Sequence, residues 1–331
     1  MAITYNPDKD IPDLSGKVIV ITGGTAGVGK EAIIKLAKHN PAHIYFTGRN
    51  VQAANSLIDE VNATTTASNG NTKITFIPCD QTSLRSVRDA AKQLLAKSQN
   101  LIDVLICNAG VMAVAPALSK DGYEVQFAIN HLAHALFVKL CIPALQNARA
   151  RNKGSAGHGR IVVTSSLAYR GAPEGVGGID FANLKTAQGG VGGPAMMAKY
   201  TLYSQSKLAN VLHASELARR YPELTVVAIH PGVVAATELM GHMNWIDRFV
   251  VKMAVRNYEH FTLEEGAYNT LWAATTTQTT GKAGQGGLSL ESGGFYEPVG
   301  KPLEHTKLSG DEALAGKLWE WTEKEIEGYL Q

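Results

Sequence analysis

The sequence has few cysteines, almost no net charge and no long hydrophobic run, and each scarcity excludes a class of protein. Its three cysteines, Cys79, Cys107 and Cys141, form no CxxC pair, which favours buried thiols in a reducing compartment over a disulfide framework. The 31 basic and 29 acidic residues leave a net charge of +2 without a basic stripe, so we expect no nucleic-acid partner. No apolar run approaches the roughly 18 residues of a membrane span, and residues 1–16 lack a signal-peptide pattern. We therefore expect a soluble cytoplasmic protein.

Short apolar runs alternate with helix-length amphipathic stretches along the 331 residues. The runs are rich in Val and Ile, as expected of strands that are buried on both faces. Six strands are predicted, at residues 18–22, 43–47, 73–79, 103–108, 160–165 and 224–230. Helices are predicted near residues 28–38, 51–62, 82–97, 121–148, 200–220, 263–276 and 310–328. This alternation predicts an α/β fold, a single Rossmann-type doubly wound parallel sheet with helices on both faces.

Two stretches interrupt this alternation, and both follow predicted strands. Residues 170–199 are rich in Gly and Ala, and residues 239–260 are apolar with Met, Trp and Phe. Ligands bind outside the carboxyl ends of the strands in such sheets. We therefore interpret both stretches as insertions into one domain whose core spans about residues 15–325. Residues 239–260 are either a lid over a substrate or a packed amphipathic helix, and the sequence favours neither.

The segment GGTAGVGKE, residues 23–31, contains the spacings of two different nucleotide loops. Residues 24–30 have the GxxxxGK spacing of a P-loop, and residues 27–32 have the GxGxxA spacing of a dinucleotide fingerprint. A P-loop needs Ser or Thr after its Lys to bind magnesium, whereas Glu31 would add negative charge beside the phosphates. The preceding strand and the following helix favour a dinucleotide. A P-loop hydrolase remains a distant alternative.

Six motifs follow one another in an order that is typical of one family. They are TGxxxGxG (22–29), CNAG (107–110), Asn130 in a helix, Ser165-Ser166 on a strand, YSQSK (203–207) and HPGVV (230–234). In this order they resemble the short-chain dehydrogenase/reductase family. The segments SKLANVL, GIDFANL and TLEEGAYNTL resemble its retinol dehydrogenase and WW-domain oxidoreductase-like branch. The resemblance spans roughly residues 15–325 and implies a nicotinamide-dependent oxidoreductase.

The YxxxK pattern occurs twice, and only one copy fits a helix. Tyr203 and Lys207 lie in a helix-length stretch, where positions i and i+4 share a face and reach one ligand. Tyr5 and Lys9 enclose Pro7 in a polar segment that we predict is not helical, so we discard this pair. A free tyrosine has a pKa of about 10, and we expect the ammonium of Lys207 to lower that of Tyr203 by about 1–3 units.

The resemblance implies catalytic roles for four residues. Tyr203 would be the general acid/base, and Lys207 would bind the nicotinamide ribose. Ser166, rather than its neighbour Ser165, would hydrogen-bond the substrate oxygen, and Asn130 would hold a water that links Lys207 to solvent. The alternative is a non-catalytic NADP(H)-binding regulator or scaffold. The presence of all four catalytic residues argues against it.

The residue after the second strand indicates the cofactor. NAD-binding loops place Asp or Glu about 20 residues after the glycines, but Arg49 stands there and its guanidinium suits a 2′-phosphate. We therefore expect NADP(H), and the resemblance assigns Asp80 to the adenine amino group. The expected cofactor contacts are Gly23, Thr25, Gly27, Val28, Gly29, Arg49, Asp80, Gln81, Asn108, Ala109, Gly110, Tyr203, Lys207, Pro231, Gly232, Val233, Val234 and Thr237.

One departure from the family pattern limits these assignments, and one histidine pair needs an interpretation. The Thr expected after the PG motif would stand at position 236, which is Ala236, with Thr237 next to it. His131 and His134 lack a third ligand, so we interpret them as packing residues and expect no metal. Altogether the sequence predicts an NADP(H)-dependent ketone or aldehyde reductase, or the reverse alcohol dehydrogenase. Its substrate would be bulky and apolar, and a homo-oligomer is left open.

Overall fold

The structure, a computed structural model, describes residues 5–67, 72–152, 158–191, 195–234, 245–277 and 289–331. Its strands are β1 (Val18–Ile21), β2 (His43–Gly48), β3 (Lys73–Pro78), β4 (Val104–Cys107), β5 (Arg160–Thr164), β6 (Thr225–Ile229), β7 (Val233–Val234), β8 (His260–Phe261), β9 (Phe295–Glu297) and β10 (Lys301–Pro302). The main sheet has the order β10-β9-β6-β5-β4-β1-β2-β3, and β7 pairs with β8 separately. All pairs are parallel except β9 with β10.

Helices cover both faces of the main sheet. They are α1 (Pro7–Asp10), α2 (Gly27–Ala37), α3 (Val51–Ala67), α4 (Leu84–Lys97), α5 (Val125–Phe127), α6 (Ala133–Arg151), α7 (Ala195–Arg220), α8 (Trp245–Ala254), α9 (Leu263–Gly266), α10 (Tyr268–Thr275) and α11 (Glu312–Ile326). A π-helical turn, Ala128–Leu132, joins α5 to α6. Short 3₁₀ helices lie at Leu167–Gly171, Glu174–Val176 and Glu327–Tyr329.

The predicted fold class is confirmed. All six predicted strands are present, and their order is that of a doubly wound sheet, in which β1 and β4 flank the point where the strand order reverses. Successive residues of β1 show why both faces need helices. Val20 belongs to a buried cluster that includes residues of α4, α6, α7 and α11, whereas Ile19 and Ile21 belong to a second cluster with residues of α2, α3 and α10. All three side chains are fully buried.

Among the residues that the structure describes, one helical segment, Val125–Arg151, is long and apolar enough to cross a membrane by length and composition. Its average hydropathy is high enough for a membrane span, although the sequence has no uninterrupted apolar run of that length. Most of the segment is buried, and α6 packs against α4 and β4, as the core helix of a globular domain does. The three cysteines are unpaired and buried, as predicted.

The N-terminal segment corrects one expectation, because it does contain a helix. Pro7 occupies the first position of α1, where its missing N–H breaks no hydrogen bond. Asn6 caps this helix by accepting a hydrogen bond of 3.0 Å from the Asp8 N–H. Tyr5 precedes the cap, so Tyr5 and Lys9 still do not share a helical face.

Two helix boundaries also differ from the expected ones. α7 begins at Ala195, so the last residues of the 170–199 stretch belong to this helix. The stretch 263–276 contains two helices rather than one, because α9 ends at Gly266 and α10 begins after Ala267. A Cβ at Gly266 would lie 2.4 Å from a methyl of Val234. The end of α9 therefore packs closely against β7 at the carboxyl end of the sheet.

Candidate active site

The loop between β1 and α2 is shaped for the close approach of a phosphate. Gly23 and Gly27 have positive φ angles of 67° and 59°, which other residues rarely adopt. A Cβ at Gly29 would lie 2.3 Å from the Gly23 carbonyl oxygen, whereas a Cβ at Gly27 would meet nothing within 4 Å. The N-cap of α2 is Ala26, whose methyl group cannot bond the helix amides. These N–H groups therefore remain available for an anion at the positive end of the helix dipole.

Residues that follow β4 hold this glycine loop in place. The Asn108 side-chain amide donates to the carbonyl oxygens of Thr22 and Gly23, at 3.0 and 3.1 Å. The backbone N–H groups of Asn108 and Ala109 donate to the Thr22 hydroxyl at 2.9 and 3.1 Å. The TGxxxGxG and CNAG motifs therefore meet between β1 and β4, where nucleotides bind in doubly wound sheets.

Arg49 lies directly after β2 and is exposed. Gly48 precedes it and packs on the glycine loop, since a Cβ at Gly48 would lie 2.8 Å from the Thr25 methyl group. Within the described residues no hydrogen bond or ion pair holds the Arg49 guanidinium. The side chain is therefore free to bind an anion beside the loop.

Asp80 lies two residues after β3 and is held by its neighbours. Its carboxylate accepts hydrogen bonds from the Thr82 hydroxyl at 2.8 Å and the Thr82 N–H at 3.0 Å, and it pairs with Lys120 at 2.8 Å. Partial burial raises the pKa of Asp80, but the hydrogen bonds from Lys120 and Thr82 outweigh it and hold the pKa below its ordinary value. Asp80 is therefore a carboxylate, and Lys120 is a partner that no sequence motif had indicated.

The structure brings Ser166, Tyr203 and Lys207 together at the carboxyl end of β5. The Lys207 ammonium lies 5.6 Å from the Tyr203 ring centroid. It donates a hydrogen bond of 3.0 Å to the carbonyl oxygen of Thr164, the last residue of β5. The Ser166 side chain lies close enough to Tyr203 to lower the pKa of its phenol. The carboxyl end of β5 and the side chains of α7 thus meet in one small cluster.

The two neighbouring serines have different surroundings. Ser165 is buried, and its hydroxyl donates a hydrogen bond of 2.7 Å to the carbonyl oxygen of Lys207. Ser166 is partly exposed, and its hydroxyl accepts a hydrogen bond of 3.2 Å from the Ala168 N–H. Ser165 therefore joins β5 to α7, whereas Ser166 faces the tyrosine.

Burial sets the ionisation of the two α7 residues. It raises the pKa of Tyr203 to about 12, against the hydrogen bond with Ser166, which lowers it. It lowers the pKa of Lys207 to about 8. The expected lowering of the tyrosine pKa by the ammonium is therefore wrong, because desolvation outweighs it. Tyr203 is only 9% exposed, so its side chain is largely shielded from water.

Asn130 lies in the π-helical turn and connects two neighbouring elements. Its Oδ1 accepts from the Val111 N–H at 2.8 Å, and its Nδ2 donates to the Val111 carbonyl at 3.0 Å and to the Ser206 hydroxyl at 2.9 Å. A Cβ at Gly110 would lie 3.1 Å from Asn130 Oδ1 and 3.6 Å from Lys207 Nζ. Asn130 therefore stands beside Lys207, with its amide occupied by the loop after β4 and by α7.

His134 joins this cluster to the glycine loop, a connection that sequence reasoning missed. Its Nε2 lies 2.8 Å from the Thr22 hydroxyl, which donates the proton because it already accepts from two backbone N–H groups. Its Nδ1 then carries the hydrogen and donates to the Asn130 carbonyl at 2.9 Å. Burial lowers the pKa of His134 to about 4, so the ring is neutral. The only signal in the sequence was a histidine one helical turn after Asn130.

The other residues near His134 do not assemble a metal site. His131 points to α11, where its Nε2 lies 3.0 Å from the Thr322 hydroxyl. The Gln81 side-chain amide lies 3.1 Å from His134 Nε2. Among the described residues no group of three potential metal ligands occurs. The two histidines therefore have separate hydrogen-bond partners in the core.

The HPGVV motif lies at the same edge of the sheet, after β6. Gly232 has a φ of 90°, and a Cβ there would lie 2.4 Å from the Phe261 ring. Val233 and Val234 pair with His260 and Phe261. Pro231 precedes them at the carboxyl end of β6, whereas Ala236 and Thr237 lie outside the described residues.

The Gly-rich stretch borders a pocket of about 330 Å³ beside α7. Its lining residues are Gly171, Ala172, Pro173, Glu174, Gly175, Val176, Val191 and Thr201. Thr201 lies two residues before Tyr203, and a Cβ at Gly171 would lie 3.0 Å from the Ser204 hydroxyl. Part of the predicted insertion therefore lies next to the cluster of Ser166 and Tyr203.

The described part of the stretch 239–260 contains α8, which one buried carboxylate attaches to α7. Asp247 pairs with Lys199 at 2.5 Å and accepts a hydrogen bond of 3.0 Å from the Tyr200 hydroxyl. The largest apolar side chains of α8 lie on the side of the helix away from Asp247, with Trp245 78% and Phe249 61% exposed. They are therefore not packed against the fold, in contrast to the packed-helix interpretation. The structure leaves the lid interpretation untested.

Comparisons with known proteins agree with this arrangement. The family model for short chain dehydrogenases matches residues 17–176. A short-chain dehydrogenase/reductase of Armillaria gallica is 35% identical over 326 residues, which are 97% of this chain and 94% of the relative. Human retinol dehydrogenase 11 is 32% identical and covers 93% of this chain, with 85% of its own length matched. The crystal structure of NADPH-bound carbonyl reductase from chicken fatty liver superposes with a TM-score of 0.59 at 20% identity, covering 88% of this chain and all of that one.

Proposed function

Because the chain belongs to the short-chain dehydrogenase/reductase family, close to its retinol dehydrogenase branch, we propose that it is an NADP(H)-dependent ketone or aldehyde reductase. The family membership makes it an oxidoreductase that acts on CH–OH or C=O groups with a nicotinamide cofactor. The observation that carries the proposal is the cluster of Ser166, Tyr203 and Lys207 beside the glycine loop.

The chain has residues that fit a dinucleotide phosphate. The glycine loop leaves space at Gly27, and the uncapped N-terminus of α2 offers N–H groups to the pyrophosphate. Arg49 supports the phosphorylated cofactor, because its free guanidinium suits a 2′-phosphate and no carboxylate stands in its place. Lys207 would bind ribose hydroxyls, and Asp80 would accept from the adenine amino group. The NADPH named in the carbonyl reductase structure agrees with this preference.

The ionisation of Tyr203 is the one that carbonyl reduction requires. With a pKa of about 12 its phenol is protonated at neutral pH, which is the state needed to give a proton to a carbonyl oxygen. The bound nicotinamide supplies the hydride to the carbonyl carbon. The Tyr203 hydroxyl gives its proton to the oxygen, while Ser166 donates a hydrogen bond to the same oxygen. The product is the alcohol, and the tyrosine regains its proton from solvent.

The substrate class follows from the surroundings of the cluster. The adjacent pocket is lined mainly by glycines and small apolar side chains, including Ala172 and Val176. Such a lining suits an apolar ketone or aldehyde of some bulk. The human relative is named for retinol, an apolar alcohol, which is consistent with this class.

A carbonyl panel with either cofactor tests the proposal. We expect the purified protein to oxidise NADPH in the presence of apolar ketones or aldehydes and to use NADH less well. The loss of absorbance of the reduced nicotinamide measures both reactions. Tyr203→Phe keeps the ring but removes the proton donor, so turnover should fall by about 10²–10⁴-fold. Tyr5→Phe, outside the cluster, should leave turnover unchanged.

The same experiment separates the non-catalytic alternative. If NADPH binds but no carbonyl or alcohol is converted, the chain is an NADP(H)-binding regulator and the proposed reaction is wrong. A Tyr203→Phe variant that keeps more than a tenth of the wild-type turnover would show that the proton comes from another group.

A further inference from the structure

We propose that the outward face of α8 docks on a membrane surface that carries anionic lipid headgroups. The face consists of four apolar side chains on one side of the helix, and all four are exposed to solvent. They are Trp245 (78% exposed), Ile246 (42%), Phe249 (61%) and Met253 (44%). A helix that presents this many large apolar side chains to water lacks its partner.

The charges on α8 are sorted in the way a lipid surface requires. Asp247, the acidic residue of the helix, points into the protein and is neutralised by Lys199. Arg248 and Lys252 are exposed and lie one turn apart along the edge of the apolar face. Within the described residues neither pairs with a carboxylate. The outward side of α8 is therefore apolar in its centre and positive at its edge.

This combination favours a membrane over a protein groove. An amphipathic helix with Trp, Phe and basic residues lies in the headgroup region, with its apolar side chains inserted and its cations among the phosphates. Trp245 stands at the first position of the helix, and tryptophan prefers the interface between lipid and water. The face is convex and belongs to a single helix, so it would need a deep complementary groove on a protein partner.

The position of α8 would bring a docked lipid surface close to the candidate active site. The carboxylate of Asp247 bonds to Lys199 and to Tyr200, which lie about one helical turn before Tyr203 on α7. A lipid surface bound at α8 would therefore lie near the tyrosine cluster, where an apolar solute partitions out of the bilayer. The docking itself needs neither cofactor nor turnover.

Vesicle flotation tests the proposal without reference to activity. We expect the full chain to float with phosphatidylcholine vesicles that contain phosphatidylserine, and to float much less with phosphatidylcholine alone or at high salt. Each basic residue near an anionic surface contributes about a fivefold gain in binding. The double variant Arg248→Glu and Lys252→Glu should therefore bind at least about 25-fold more weakly. Lys301→Glu with Lys307→Glu, which changes the charge equally at two exposed positions elsewhere, should bind like wild type.

The apolar side chains are tested separately, because they are exposed and their replacement spares the core. Trp245→Ser with Phe249→Ser should weaken binding by about tenfold or more, whereas Leu118→Ser, at an exposed leucine elsewhere, should not. Vesicles should also shift the tryptophan emission to shorter wavelength. This shift should disappear in Trp245→Phe while that variant still floats.

Three results would overturn the proposal. The first is a wild-type chain that floats with neither kind of vesicle. The second is binding that none of the α8 variants weakens. The third is a dimer in light scattering that Phe249→Ser converts to a monomer, since the face would then belong to a second copy of the chain. Carbonyl reduction can succeed or fail in the same preparation without affecting any of these results.

Discussion

At the scale of single residues, the two serines after β5 have different roles although they are adjacent. Successive side chains of an extended chain point to opposite sides. Ser165 accordingly points to the Lys207 carbonyl, and Ser166 points to the side of Tyr203. The family pattern pointed to Ser166, but no pattern in the sequence shows that Ser165 bonds the backbone of α7 at Lys207.

A pair of alanine variants should separate these roles. Ser166→Ala removes a hydrogen-bond donor to the developing alkoxide, so we expect turnover to fall by about 10²–10³-fold with NADPH affinity near wild type. Ser165→Ala leaves the buried Lys207 carbonyl without its partner, so the free energy of unfolding should fall by about 1–3 kcal/mol. Steady-state kinetics and urea unfolding of both variants check this, and a larger loss of turnover in Ser165→Ala would contradict it.

Contacts between distant residues are the part of the site that the sequence could not predict. The hydrogen bond between His134 and Thr22 joins residues 112 positions apart. The pair of Asp80 and Lys120 is of the same kind, with 40 positions between them. Short motifs record which residue types recur at fixed spacing, whereas these pairs depend on how β1, β3 and α6 pack. The candidate catalytic residues were therefore predictable, and the network that orients them was not.

At the scale of elements, length and periodicity decided what could be predicted. Strands β1 to β6 are Val- and Ile-rich runs whose pattern is local, and each was predicted within about two residues. β9 and β10 were missed because each has three residues or fewer, with glycines beside β9. Their positions depend on pairing with β6 and with each other. The amphipathic pattern of α8 was visible, but the sequence does not show which way its apolar face points.

The short helix α5 has a cap whose charge should make stability depend on pH. Glu124 is fully buried, and its two oxygens accept hydrogen bonds from the Gln126 and Phe127 N–H groups at 3.0 and 2.7 Å. Burial raises the pKa of this carboxyl to about 7, although both hydrogen bonds lower it. The folded state therefore holds a proton between about pH 4.5 and 7 that the unfolded state has released. The stability that this proton provides is present at low pH and is lost as the pH rises through about 7.

Replacing Glu124 by Gln should remove this dependence. Between about pH 5 and pH 8, wild type should lose roughly 2 kcal/mol of unfolding free energy relative to Glu124→Gln. The control is Glu265→Gln in the exposed capping box of α9, where hydrogen bonds from Thr262 lower the carboxyl pKa. Its stabilising effect has the opposite sign, since it is lost as the pH falls. Urea unfolding at several pH values measures both, and parallel curves for wild type and Glu124→Gln would disprove the assignment.

At the scale of the whole molecule, the order of the sheet brings the candidate site together. The glycine loop, CNAG, the serines and HPGVV follow β1, β4, β5 and β6, which are neighbours in the sheet. Parallel strands place all these loops at one edge, so motifs more than 200 residues apart meet there. Arg49 reaches the same edge from β2. The fold class was predictable because alternation of strands and helices leaves few topologies.

A ligand that contacts loops of both halves of the sheet should stabilise the whole chain. At about 100 times its Kd such a ligand adds about 2.7 kcal/mol to the free energy of unfolding. With an unfolding entropy of about 2.1 cal/mol/K per residue, a chain of 331 residues should gain about 4 °C in Tm. We expect NADPH to reach this shift at a lower concentration than NADH. ATP should give almost none, because Glu31 disfavours its phosphates and magnesium.

Arg49→Asp is the decisive variant, because it removes the guanidinium that we assign to the 2′-phosphate and adds a negative charge. NADPH binding should weaken by about tenfold to a hundredfold, since charge-assisted hydrogen bonds contribute about 1.5–3 kcal/mol. The thermal shift with NADPH should then fall to that with NADH, while the NADH shift stays near its wild-type value. Lys301→Asp, an equal charge change on the edge strand β10, should preserve the difference between the two cofactors. If Arg49→Asp reduces the thermal shifts with NADPH and NADH equally, the arginine supports the loop rather than binding the 2′-phosphate.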